Sequence, residues 1–106
     1  MAGWSAPVND LMSMVSMKEI NTFIRNERLP YSRWYVGITG DVQSRLFGDH
    51  NVQNGYIYRT FPNDRIAREI EQNFHELGCQ GSHGGGDWDT KIVYAYLITS
   101  DTVEDC

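Results

Sequence analysis

The spacing of apolar positions changes period several times along this chain, and each change marks an element. Met17, Ile20, Phe23 and Ile24 recur at i, i+3, i+6 and i+7, one stripe to bury, which predicts a helix from about Met17 to Arg25. Ser16-Met17-Lys18-Glu19 reads as a capping box at its start, with Val15 and Ile20 at hydrophobic-staple spacing, and Leu29-Pro30 closes it. Upstream, Leu11, Met12, Met14 and Val15 are apolar, but Pro7, Asn9 and Ser13 break any clean period. Residues 1–15 therefore read as an N-terminal extension, with at most a short helix.

Arg33 to Thr39 is aromatic and β-branched and predicts a strand. Gly40-Asp41 turns the chain, and Asp41 is placed as the N-cap of a helix carrying Val42, Leu46 and Phe47 on one side. Tyr56 to Phe61 is a second strand. A further helix opens at Pro62-Asn63-Asp64 with Asp64 as its cap, buries Ile66, Ala67, Ile70, Phe74 and Leu77, and stops at Gly78. A glycine-rich loop from Cys79 to Asp89 leads into Thr90–Thr99, the longest strand pattern in the chain. The end, Ser100 to Cys106, is a polar, acidic tail.

No repeat is visible, and these elements predict a single α+β domain over residues 1–106: a small three-stranded antiparallel sheet flanked by helices, with an added N-terminal helix. Two strands alone would be marginal in water, so the C-terminal strand has to complete the sheet. It is expected antiparallel beside the Tyr35 strand.

Composition narrows the class of protein. A length of 106 residues fits one domain, and 41% hydrophobic with 12% aromatic residues is enough for one core, which excludes global disorder. No apolar run approaches a membrane span, and Met1 to Asp10 lacks the basic and hydrophobic regions of a signal peptide, so a soluble, unexported chain is expected. Cys79 and Cys106 cannot make a disulfide framework, which makes a reduced, cytoplasmic setting the default. The net charge of −5 argues against a broad basic footprint for nucleic acid. Its distribution is uneven, however: all seven arginines fall between residues 25 and 70 against five acids there, while residues 87–106 hold Asp87, Asp89, Asp101, Glu104 and Asp105 against Lys91.

Tyr35-Val36-Gly37 at a strand end, Arg45 ten residues after Tyr35, His50 beyond it and Glu71 on a later helix together resemble the GIY-YIG nuclease superfamily. Ala67-Arg68-Glu69-Ile70-Glu71 is similar to that family's Ala-x-x-x-Glu pattern, which selects Glu71 over Glu69. The resemblance implies a GIY-YIG-like fold and a metal-dependent nuclease or phosphodiesterase acting on nucleic acid. It places Tyr35 beside the scissile phosphate, Arg45 on phosphate charge, His50 about one helical turn on, and Glu71 on a divalent metal, Mg2+ or Mn2+. Such a set is chemically sufficient: phosphodiester hydrolysis needs a cation opposite the developing charge, a metal to lower the pKa of water, and a group to orient it.

Two departures from the family pattern shape the expectations. The Gly-Ile-Tyr strand that precedes the Tyr-Ile-Gly strand has no counterpart, since residues 16–30 read as helix and turn. The C-terminal strand is expected to take its place, as in a circular permutation, with either Tyr94 or Tyr96 pointing toward Arg45 because side chains two apart share a face. Secondly, Arg45 and His50 are five residues apart where four is usual, which rotates His50 about 100° around an α-helix unless the turn loosens at Gly48.

Gly78-Cys79-x-Gly81-x-x-Gly84-Gly85-Gly86-Asp87 ahead of Val93-Tyr94-Ala95-Tyr96 further resembles a branch of small stand-alone GIY-YIG-like proteins of bacteria and phages. His75, Cys79, His83 and Asp87 are of metal-ligand type at four-residue steps, although the glycines among them prevent one helical face. Gly84–Gly86 lacks the lysine and hydroxyl of a phosphate-binding loop and reads as a connector. Beside the nuclease stand two other functions: a catalytically degenerate domain that binds nucleic acid, a nucleotide or a protein partner without cleavage, and an interaction protein whose acidic end mimics phosphate.

Overall fold

In the computed structural model, which describes residues 10–81 and 89–104, the first helix is longer than its capping box suggests. α1 runs Leu11–Asn26, and Asp10 caps it by accepting from the Ser13 N–H at 3.0 Å and from Ser13 Oγ at 2.6 Å. Because Asp10 satisfies the first-turn amides, Ser16 falls inside the helix, and residues 11–15 belong to α1 rather than to an extension. The chain leaves α1 through Arg28, which holds a left-handed φ of 57°.

Three strands follow: β1 (Trp34–Thr39), β2 (Tyr56–Thr60) and β3 (Ile92–Leu97), in the spatial order β1-β3-β2 with both pairings antiparallel. The C-terminal strand is thus central, opposite Tyr35 at Tyr96 and opposite Gly37 at Tyr94 on one side, and opposite Tyr56 and Tyr58 at the same tyrosines on the other. The fold is α+β, a small antiparallel sheet with helices, as the pattern predicts.

α2 (Asp64–Leu77) is capped by Asn63, whose side chain accepts from the Ile66 N–H at 2.9 Å, so Asp64 is the first helical residue and not the cap. Gly78 ends it. Beyond it Gln80 covers the outer edge of β1, receiving the Val36 N–H and donating to Trp34 O, both at 2.8 Å, so that this edge does not stand open.

Side chains alternate across the sheet, and the two faces have different contents. One face presents Trp34, Val36, Val93 and Ala95 to Met17, Ile20 and Ile24 of α1 and to Ile66, Ala67, Ile70 and Phe74 of α2, an aliphatic and aromatic core. The other presents Tyr35, Tyr94 and Tyr96 to Leu46 and Val52. Among the described residues, no helix is long and apolar enough to cross a membrane.

Candidate functional site

The second face is built by the segment between β1 and β2. Asp41 accepts from the Ser44 N–H at 3.2 Å and Ser44 Oγ at 2.9 Å, which opens a helical turn and holds its carboxyl below the usual carboxylate range. From Ser44 to Asp49 the turn is a π-helix, and the His50 N–H reaches back to Arg45 O at 2.9 Å, five residues away. The wider turn absorbs the extra residue that an α-helix would have converted into a rotation. Arg45 and His50 consequently face the same way. Leu46 is fully buried, whereas Phe47, expected on the buried side, is 41% exposed and meets Tyr56 edge-on at 5.3 Å.

Arg45 Nε donates to Tyr94 Oη at 3.3 Å, and His50 Nε2 lies 2.8 Å from the same oxygen. The imidazole's Nδ1 is 2.6 Å from Val103 O. A carbonyl only accepts, so Nδ1 carries the proton, and Nε2 of the neutral ring is free to accept the Tyr94 hydroxyl. Burial pushes the His50 pKa below its ordinary value, chiefly by desolvation, which keeps the ring neutral at pH 7 against the opposing Val103 bond. Tyr96 Oη sits 3.0 Å from His50 Nδ1 and donates to Glu104 Oε2 at 2.9 Å; burial, and then that bond, push its phenol pKa upward. Tyr35 packs over the group, its ring 5.2 Å from Tyr96 and 4.7 Å from His50.

Gly37 makes this packing possible. It lies opposite Tyr94, and a Cβ there would stand 2.6 Å from Tyr94 Oη. The glycine of the Tyr-Val-Gly string therefore has a steric reason to be glycine: the phenol crosses above its bare backbone.

Tyr35, Arg45, His50, Tyr94 and Tyr96 are thus brought into one cluster, with Tyr94 rather than Tyr96 meeting Arg45. Glu71 is placed elsewhere. It belongs to α2, which packs against the opposite face of the sheet, and its carboxylate approaches His75 Nε2 at 4.0 Å. His75 Nε2 donates at 2.8 Å to Val36 O on the β1 edge, so this ring nitrogen serves the backbone. A Cβ on Gly81 would overlap both groups, which makes Gly81 a close-approach glycine too. Desolvation pushes the Glu71 pKa up to about 7, opposed by Arg68, and its side chain is only 13% exposed.

As a test of metal chemistry, Glu71 supplies a hard oxygen donor whose buried charge a divalent cation would offset. No group of three His, Cys, Asp or Glu able to hold a metal occurs among the described residues. Glu71 therefore fits only an ion that keeps most of its waters, as Mg2+ does. In the His75–Cys79 pair, burial raises the Cys79 thiol pKa to about 12 and His75 Nε2 is bonded to Val36 O, while His83, Asp87, Gly84–Gly86 and Cys106 lie outside the described residues.

Glu104, Tyr56, Tyr58 and Phe47 join this face although none is among the site residues expected from the sequence. The Tyr-x-Tyr strings at 56–58 and 94–96 carried the signal for the tyrosines, since residues two apart share a face. Glu104 carried none. The comparisons with protein-family models, curated proteins and solved structures found no match to this chain.

Proposed function

We propose that the chain is a GIY-YIG-like domain that recognises a phosphodiester of nucleic acid at Arg45 and holds it without cleavage. The observation that carries this reading is the convergence of Arg45 and His50 on Tyr94 Oη through the π-turn. A planar guanidinium oriented by a buried phenol is pre-organised for a phosphate oxygen, and Arg45 remains 26% exposed. Its Nη1 pairs with Asp49 at 2.9 Å, an exposed i,i+4 contact of the kind worth about 0.3–0.5 kcal/mol. A phosphate exchanges with such a partner at little cost. Binding is favoured over hydrolysis because Tyr94 and His50 are 1% and 0% exposed and already bonded to each other.

The Tyr94–His50 pair also supports a second reading, cleavage. There Tyr94 would pass its proton to His50 Nε2 while taking one from water, and Arg45 would face the developing negative charge. The carboxylate that would hold Mg2+ or Mn2+ and so lower the pKa of a bound water, Glu71, lies on the helix packed against the opposite face, which weighs against this reading.

Anisotropy titration of a labelled single-stranded oligonucleotide, with and without Mg2+, tests both readings. Saturable binding in chelator that Arg45→Ala weakens without shifting the unfolding midpoint is expected. Absent binding, or equal affinity in Arg45→Ala, would overturn the assignment. Mg2+-dependent cleavage lost in both Tyr94→Phe and Glu71→Ala would establish the second reading.

A further inference from the structure

The tyrosine face continues beyond Arg45 onto β2. Tyr58 stands opposite Tyr94 and Tyr56 opposite Tyr96 in the register, so the row that receives Arg45 ends in Tyr58 at its open side. The Tyr56 and Tyr58 rings are parallel within 5°, their centroids 6.5 Å apart. Phe47, two residues after Arg45, meets Tyr56 at 5.3 Å with its ring turned 78° to it. Tyr58 and Phe47 are 42% and 41% exposed. Two parallel rings and one upright ring thus form an aromatic corner on the face that receives Arg45, with Tyr58 and Phe47 as its exposed members.

We infer that this corner is a nucleobase subsite: unpaired bases of a single strand stack on Tyr58 and Phe47 while Arg45 holds the adjoining phosphate. The inference rests on the phosphodiester reading of Arg45. The chemistry follows from what each group offers. Every base has a π-face, so stacking on tyrosine or phenylalanine is tolerant of sequence, and a nearby arginine tracks the charged backbone. Duplex DNA keeps its bases stacked on one another, so the corner selects single strands or extruded bases. The overall charge of −5 gives no general attraction for polyanions, which leaves stacking as the main source of affinity beyond the single arginine contact.

The test compares two labelled strands of about ten nucleotides with equal charge, oligothymidylate and its fully abasic analogue. Wild-type protein should bind oligothymidylate roughly tenfold more tightly than the abasic strand, the scale of one base stacked on an aromatic. Tyr58→Leu, which keeps apolar bulk on β2, and Phe47→Ala should each shrink that ratio toward unity while leaving abasic binding unchanged, and Tyr58→Phe should retain it. Arg45→Ala should weaken both strands by the same factor. Equal wild-type affinity for the two strands would overturn the base subsite and leave the phosphodiester reading standing. Thymidylate binding that depends on Tyr58 but not on Arg45 would overturn the phosphodiester reading instead. If neither strand binds, both fall.

Discussion

The two faces of the sheet are made by the same three strands yet differ in kind. The face beneath α1 and α2 is closed mainly by apolar contact, with Trp34, Val36, Val93 and Ala95 meeting Ile20, Ile24, Ile70 and Phe74. The opposite face is held by a polar chain running from Arg45 through Tyr94, His50 and Tyr96 to Glu104, with Val103 O bonded to the imidazole. Apolar burial is non-directional and tolerates small shifts, whereas a buried polar chain is favourable only when every partner is in place. The helix-covered side supplies stability, and the tyrosine side fixes hydrogens and charges in space.

The largest effect should come from the apolar side. Phe74→Ala is expected to lower unfolding free energy by about 3–5 kcal/mol, measured by chemical denaturation, because the fully buried ring leaves a cavity among packed neighbours. A loss below about 1 kcal/mol would show that this face is not the main support of the fold.

His50→Ala should cost less, about 2–4 kcal/mol, since it removes one hydrogen bond each from the Tyr94 hydroxyl and the Val103 carbonyl rather than emptying a large apolar site. It carries a pH signature as well. A histidine whose folded pKa is lowered contributes fully above its ordinary value of 6.5, and that contribution is lost as pH falls toward the lowered folded value. Wild-type stability should therefore show an acid-side decline in this window that His50→Ala lacks. An identical pH profile in the variant would remove the neutral imidazole from the network.

Glu71, on the other side of the sheet, should respond in the opposite sense. Its folded pKa is raised from 4.5 to about 7, so the folded state holds the extra proton between those values and loses stability as pH rises through them. Glu71→Gln should be more stable than wild type above about pH 7, by up to about 3 kcal/mol, and the gain should vanish near pH 4. A gain that persists at acid pH would trace to packing and not to a buried charge.

The smallest effects distinguish two glycines in the site's own segments. Gly37→Ala should cost about 1–3 kcal/mol and displace the Tyr94 phenol from Arg45, since the added methyl meets Tyr94 Oη. Gly48→Ala should change stability by less than about 0.5 kcal/mol, because nothing lies within 4 Å of its Cβ position. Tyrosine absorbance under alkaline titration reports the first, and the unfolding midpoint reports both. A tolerated Gly37→Ala would deny that the phenol needs bare backbone beneath it.

Much of this fold was legible because period and turn chemistry are local. The α2 stripe, the Gly78 stop and all three strands follow from residues a few positions apart. The helices start at the caps Asp10 and Asn63 and not at Ser16 and Asp64, because several oxygen-bearing residues stand near each start and only the folded backbone decides which one reaches the orphan amides. The candidate site was legible in part. Tyr35, Arg45 and His50 were grouped through their resemblance to a family pattern, and the need for a third strand put Tyr94 and Tyr96 beside them. Glu71 shared that pattern but sits on the helix packed against the other face, a placement that alternation along β1 alone does not reveal.

By itself, then, the sequence determined the elements, the third strand and the pairs of tyrosines that share one side, since these depend on periods of 2 and 3.6 written into neighbouring residues. Tertiary structure alone decided the rest. It widened the Arg45–His50 turn into a π-helix, although Gly48 has open space and no left-handed backbone to demand it, because only that turn brings both side chains to Tyr94. It set the imidazole tautomer through Val103, more than fifty positions along the chain, and drew Glu104 onto Tyr96. Bonds between residues so far apart are chosen by packing, which no local pattern encodes.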